Sequence, residues 1–297
     1  MLDRHALKAL TTAVARSDGA AFQNLYLDRA SAIHGLALRI TGDPAHASET
    51  LQHTFVEAWR QLTVENAIWE EPDLQLFLIC RRHAAEMIAR HGQGDMGQDA
   101  HAMTDPVKDG TASFELLSLL QTLGGMTDEC RNVVTSVYFD CLLIEDLAEG
   151  LSQTVEETEA GIRRCYAEFR AATSPSDAAL DREADLLAMR KALGLSSSAG
   201  TANDDDVLGW ELLFAPFGEL IEPKAPPEDA FAAIMDQVNA TVSIASAAET
   251  GRKTETLRAV LYVGVAAIIA ILIYFALVAL GDDAAATSFL ELTGEFR

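Results

Sequence analysis

Apolar residues recur at three- and four-residue spacing from about Ala20 to Arg90, and Phe22, Leu25, Tyr26, Ile33, Leu36, Ala37 and Ile40 predict the buried stripe of a long helix. Thr41-Gly42-Asp43-Pro44 breaks it. Asp43 suits an N-cap and Pro44 the first helical position of the next helix, which carries Ala47, Leu51, Phe55, Ala58 and Trp59 on one side. A third helix, Asp73 to Arg90, sets Leu76, Phe77, Ile79, Cys80 and Ile88 toward a core and Arg81, Arg82 and Arg90 toward solvent. The period returns between Phe114 and Ala172. Leu116, Leu117, Leu119, Leu120 and Leu123 line one helix there, and Val133, Val134, Val137 and Tyr138 another. Glu145 to Leu151 then forms a short helix and turn before a helix from Val155 to Phe169, the spacing of a helix-turn-helix, with Ala148 where the two helices meet.

The pattern predicts an all-α chain with two small helical modules, 1–91 and 114–172, joined by a flexible linker over 92–113 that is rich in Gly, Asp and Gln. A segment over 173–256 follows, with amphipathic stretches marked by Leu180, Ala184, Leu187 and Leu193, then by Trp210 and Pro216, and then by Pro226-Pro227, Phe231 and Ile234. From Ala259 to Leu280 no charge occurs, and at about 1.5 Å rise per residue such a helix crosses a hydrocarbon layer roughly 30 Å thick. One transmembrane helix is therefore expected over 257–280, with a short external tail, 281–297. Arg252, Lys253 and Arg258 precede the run and Asp282, Asp283, Glu291 and Glu295 follow it, so the expected topology is a single pass of the cytoplasmic membrane with the N-terminus in the cytoplasm. Met1 to Arg16 is amphipathic and lacks the apolar centre of a cleavable leader.

Charge narrows the chemistry. A formal net charge of −23 over 297 residues opposes phosphate binding by a broadly basic surface, so any nucleic-acid contact must use local basic patches. Cys80, Cys130, Cys141 and Cys165 form no C-x-x-C and are expected as buried apolar residues, and the histidines lack metal-ligand spacing. No phosphate-loop, dinucleotide-binding, zincin or nucleophile-elbow motif occurs, so neither an enzyme nor a cofactor is expected.

HASETLQHTFVEAW resembles region 2 of the extracytoplasmic-function sigma factors, with Glu49, Gln52, Phe55 and Trp59 in step. The resemblance implies that these residues bind RNA polymerase core, and that the following helix, with Arg82-His83 and Arg90 beside Arg81, contacts the −10 element of promoter DNA. The second module resembles region 4, the −35 reader, with Asp146-Leu147-Ala148 where that family usually has Glu-Ile-Ala. It departs at the start of the recognition helix, where Glu157-Thr158-Glu159-Ala160-Gly161 stands in place of Thr-Val-Lys-Ser-Arg. Carboxylates repel phosphates, so −35 reading is weakened or lost, while Arg163, Arg164 and Arg170 can still meet the DNA backbone. The Trp210, Pro216 and Pro226-Pro227 stretch resembles the juxtamembrane part of membrane-bound anti-sigma factors, which implies self-inhibition by packing of Trp210 and Phe231 on the sigma-like modules. Two functions fit: a membrane-anchored sigma factor, or a sigma-derived protein that no longer reads promoters and acts as an anti-sigma or decoy partner.

Overall fold

The computed structural model describes residues 2–94, 103–141, 144–173, 182–195 and 202–240. The transmembrane and tail expectations, 257–280 and 281–297, lie outside them. No helix among the described residues is long and apolar enough to cross a membrane. Every named element among them is helical, and the isolated bridge from Met103 to Ile221 is extended.

The first bundle comprises α1 (Arg4–Val14), α2 (Gly19–Thr41), α3 (Pro44–Thr63) and α4 (Pro72–His91). Local chemistry sets its corners. The Asp43 carboxylate accepts the His46 amide hydrogen at 2.8 Å, Pro44 opens α3, and Gly42 ends α2 at φ 63°, a left-handed conformation that glycine adopts without strain. Gly42 and Gly94 also touch, so a Cβ on either would strike the other's backbone. Phe22, Leu25, Ile33, Leu36, Leu51 and Phe55 are fully enclosed between the helices.

A short turn, α5 (Pro106–Asp109), leads to α6 (Phe114–Gly124), α7 (Asp128–Asp140), α8 (Ile144–Gly150) and α9 (Val155–Thr173). A turn over 151–154 joins α8 to α9, with Ala148 buried and Ser152 at φ 54° in the turn. The cysteine expectation needs correction: Cys130 of α7 and Cys165 of α9 form a disulfide, while Cys80 and Cys141 are free. Burial pushes the Cys80 thiol up to about 12, which leaves it unreactive. Closing a loop with a sequence separation of 35 removes unfolded-state entropy worth about 4 kcal/mol. Reductant should accordingly lower the urea midpoint of the chain; coincident curves with and without it would exclude a stabilising role for the bridge.

The C-terminal segment continues as α10 (Arg182–Ala192), α11 (Asp204–Phe214), a 3₁₀ turn (Ala215–Leu220), an extended strap over 221–227 and a helix, α12, over 230–240. Residues Met1–Val238 pack as one compact unit, and Asn239–Arg297 is assigned to another. The strap lies directly on α2. Lys224 donates its amide hydrogen to the Ser31 carbonyl at 2.9 Å, and the His34 ring Nδ1 meets the Lys224 carbonyl at 3.3 Å. Gly35 makes that approach possible, because a Cβ there would collide with the Glu222 carbonyl.

Candidate functional site

The α3 residues expected to grip a partner differ sharply in exposure. Glu49 is exposed and Gln52 half-buried, whereas Phe55 is 0% and Trp59 7% exposed. Trp59 packs edge-on against Phe22 at 5.0 Å, and Phe55 against Tyr26 at 5.0 Å. α12 covers this face from outside. The Phe231 ring lies 4.9 Å from Tyr26, and the Gln237 amide donates to Gln52 Oε1 at 3.1 Å. Phe231 thus meets the first bundle through Tyr26, a residue of the α2 apolar stripe.

The basic residues of α4 separate in the same way. Arg81 was expected toward solvent and is instead buried, 7% exposed, because α4 is covered on its far side by the C-terminal segment. Its guanidinium donates to the Tyr138, Ala192 and Leu193 carbonyls at 3.1, 2.8 and 3.0 Å. Arg82 is exposed and forms a paired hydrogen bond with the Glu211 carboxylate of α11. Arg90 stays at the surface beside Glu86.

On α9, Arg163 pairs with Glu183 of α10 at 2.5 Å and Arg164 with Glu129 of α7 at 2.6 Å. The acidic departures from the resemblance have local partners. Thr154 and Glu157 form a reciprocal capping box: the Thr154 amide donates to Glu157 Oε2 at 2.8 Å, and the Glu157 amide to Thr154 Oγ1 at 3.2 Å. The backbone and hydroxyl donors of Thr154 hold the Glu157 carboxyl below its ordinary pKa. Glu159 pairs with Arg190 of α10.

Trp210 docks against α9 around a buried carboxylate that the sequence reading missed. Asp185, on α10, accepts hydrogen bonds from the Tyr166 hydroxyl at 2.6 Å, from Arg170 Nε at 2.6 Å and from the Trp210 indole at 2.8 Å. Arg170 also stacks over the Trp210 ring at 4.5 Å. From Trp210 an aromatic row continues through Phe214 and Phe217 to Tyr138, so α11 and the 3₁₀ turn bridge α9 and α7. Gly218 lets the turn press on the Phe77 ring of α4. Among the described residues no group of His, Cys, Asp and Glu is placed to hold a metal ion.

No family model matches the chain. Over 164 residues, 53% of the chain and 88% of the relative, it is 23% identical to the ECF RNA polymerase sigma factor SigK of Mycobacterium ulcerans. Over 171 residues, 55% of the chain and 91% of the relative, it is 23% identical to the protein of the same name from Mycobacterium tuberculosis. The chain is similar to extracytoplasmic-function sigma factors. About half of the chain aligns with these sigma factors, so the match does not extend over its full length.

Proposed function

We propose that this chain is a sigma-type regulator of transcription initiation that its own C-terminal segment holds closed, and that the apolar run over 259–280 anchors it to the cytoplasmic membrane. In this reading α3, with Glu49, Gln52 and the face beside Phe55 and Trp59, binds RNA polymerase core. Arg82 and Arg90 of α4, joined by Arg81 on opening, meet promoter DNA. Arg163 and Arg164 of α9 add backbone contacts. The polymerase performs the chemistry, so no catalytic residue is needed. One observation carries the reading: the described residues 182–195 and 202–238 lie across both sigma-like bundles and occupy the groups those roles require, with Phe231 on Tyr26, Gln237 on Gln52 and Glu211 on Arg82.

A second reading, a sigma-derived binding partner without promoter recognition, draws on the exposed carboxylates of the helix-turn-helix. Glu145, Asp146, Glu149 and Glu156 face solvent where a phosphate backbone would run. Run-off transcription with core polymerase, the chain and a library of promoter fragments separates the two. The sigma reading expects promoter-specific transcripts once the segment is detached. Tight polymerase binding with no transcript from any fragment would establish the second.

A further inference from the structure

Arg81 sits where three parts of the chain meet: its own helix α4, the end of α7 and the end of α10. Main-chain carbonyls, not carboxylates, accept its hydrogen bonds. Tyr138 lies in the last turn of α7, and Ala192 and Leu193 close α10, so these are carbonyls for which a helix end has no internal donor. Each helix C-terminus carries roughly half an elementary negative charge, and two of them together balance one guanidinium. The Tyr138 ring adds a face 4.7 Å from the guanidinium carbon. Packing is tight: a void of about 10 Å³ remains between Arg81, Tyr138, Ala192 and Phe214, room for at most one water.

We infer that Arg81 is the latch of the self-inhibited form, a cation that either ties α10 and α7 to α4 or, once the segment leaves, is released to bind the phosphate backbone of nucleic acid. The second half rests on the sigma reading above; the first does not. The guanidinium fork suits both partners, since its planar donors match adjacent carbonyl oxygens as they match phosphate oxygens. Exclusivity follows from burial. While the end of α10 encloses Arg81 no phosphate can reach it, and when α10 leaves, the Ala192 and Leu193 acceptors leave with it. Departure of the segment and exposure of Arg81 are therefore one event. Arg82, the next residue, meets Glu211 of α11 at the surface, so one turn of α4 touches both α10 and α11, with the buried Arg81 bonds as the tie.

Hydrogen exchange on the full chain tests this. Arg81→Met should raise exchange at the amides of α10 and α11 roughly tenfold to a hundredfold, and that of α12 with them, while α2 keeps its protection. Arg81→Lys, which retains the charge and loses the fork, should fall between Arg81→Met and the parent, and Arg82→Gln should change exchange less than about twofold, as expected for an exposed pair. Unchanged exchange in α10 and α11 of Arg81→Met would overturn the latch. So would lost protection throughout α2 and α3 in both Arg81 variants, because Arg81 would then be a general core residue. Core-polymerase affinity on the same proteins tests the other reading separately: a loosened segment without any gain in affinity refutes polymerase masking and leaves the latch intact.

Discussion

Asp185→Ala is expected to destabilise the docking of α10 and α11 on α9 by about 3 kcal/mol. The substitution removes one acceptor from three donors on two elements: Tyr166 and Arg170 on α9 and Trp210 on α11. Removing one member of a buried charged network costs more than an ordinary hydrogen bond, because the remaining donors lose their partner while water stays excluded. Arg170 moderates the loss, since its side chain is 30% exposed and can turn toward solvent. Acid should mimic the substitution. Burial alone would raise the Asp185 pKa, but hydrogen bonds from Arg170, Tyr166 and Trp210 outweigh it and hold the carboxyl below its ordinary value. The carboxylate's contribution is thus complete above the unfolded carboxyl pKa of about 3.9 and is lost as pH falls through the lower folded value. Urea titrations of the parent and Asp185→Ala at neutral pH, and again near pH 3, provide the check. A loss under about 1 kcal/mol at neutral pH would remove Asp185 from the centre of the interface.

Against that site the surface ion pairs matter little. Arg163–Glu183 and Arg82–Glu211 have arginine side chains 50% and 47% exposed, and exposed pairs contribute about 0–1 kcal/mol each. The segment is held by buried groups instead: the Asp185 network, Arg81, and the apolar contacts of Phe214, Phe217, Ile234 and Val238. Docking should accordingly survive salt that would strip a purely electrostatic clasp.

What could be read from the sequence was what depends on near neighbours. Asp43, Pro44 and Gly42 mark a helix boundary by themselves, and the Phe22-to-Ile40 stripe needs only the helical period. Arg81 failed because a stripe reports one covered face, and α4 is covered on two: by α2 and α3 on one side and by the 3₁₀ turn and α11 on the other. Glu157 had a local signature, the Thr154-x-x-Glu157 box, which comparison with a family pattern obscured. The Cys130–Cys165 bridge and the Tyr166, Arg170 and Trp210 donors around Asp185 join positions far apart in the chain, where no spacing rule applies. The strap left partial signals. Pro223, Pro226 and Pro227 announce an extended segment, but its seat at Gly35 requires knowing which helix lies beneath.

Cutting the chain between Thr173 and Arg182, through an inserted protease site, is expected to raise its affinity for core polymerase about tenfold to a hundredfold. The expectation rests on the self-inhibited reading proposed above, and its size on tethering. While attached, the segment meets its docking surface at an effective concentration that reaches millimolar on a short connection, so even modest intrinsic affinity keeps the α12 face of α2 and α3 covered. Polymerase then competes with a contact that re-forms as soon as it opens, and its apparent affinity falls by the fraction of time that the surface is free. After cleavage, at nanomolar concentration, the same contact is bimolecular and the cover dissociates. The bound fraction of labelled polymerase, measured before and after cleavage, reports the change, and loss of the segment from the cleaved protein is verified separately. Equal affinities with the segment gone would mean that the face around Tyr26, Gln52 and Phe55 is not where polymerase binds. A gain that Arg81→Met reproduces without cleavage would tie the polymerase surface to the latch, because one substitution on α4 would then have lifted α12 from α3.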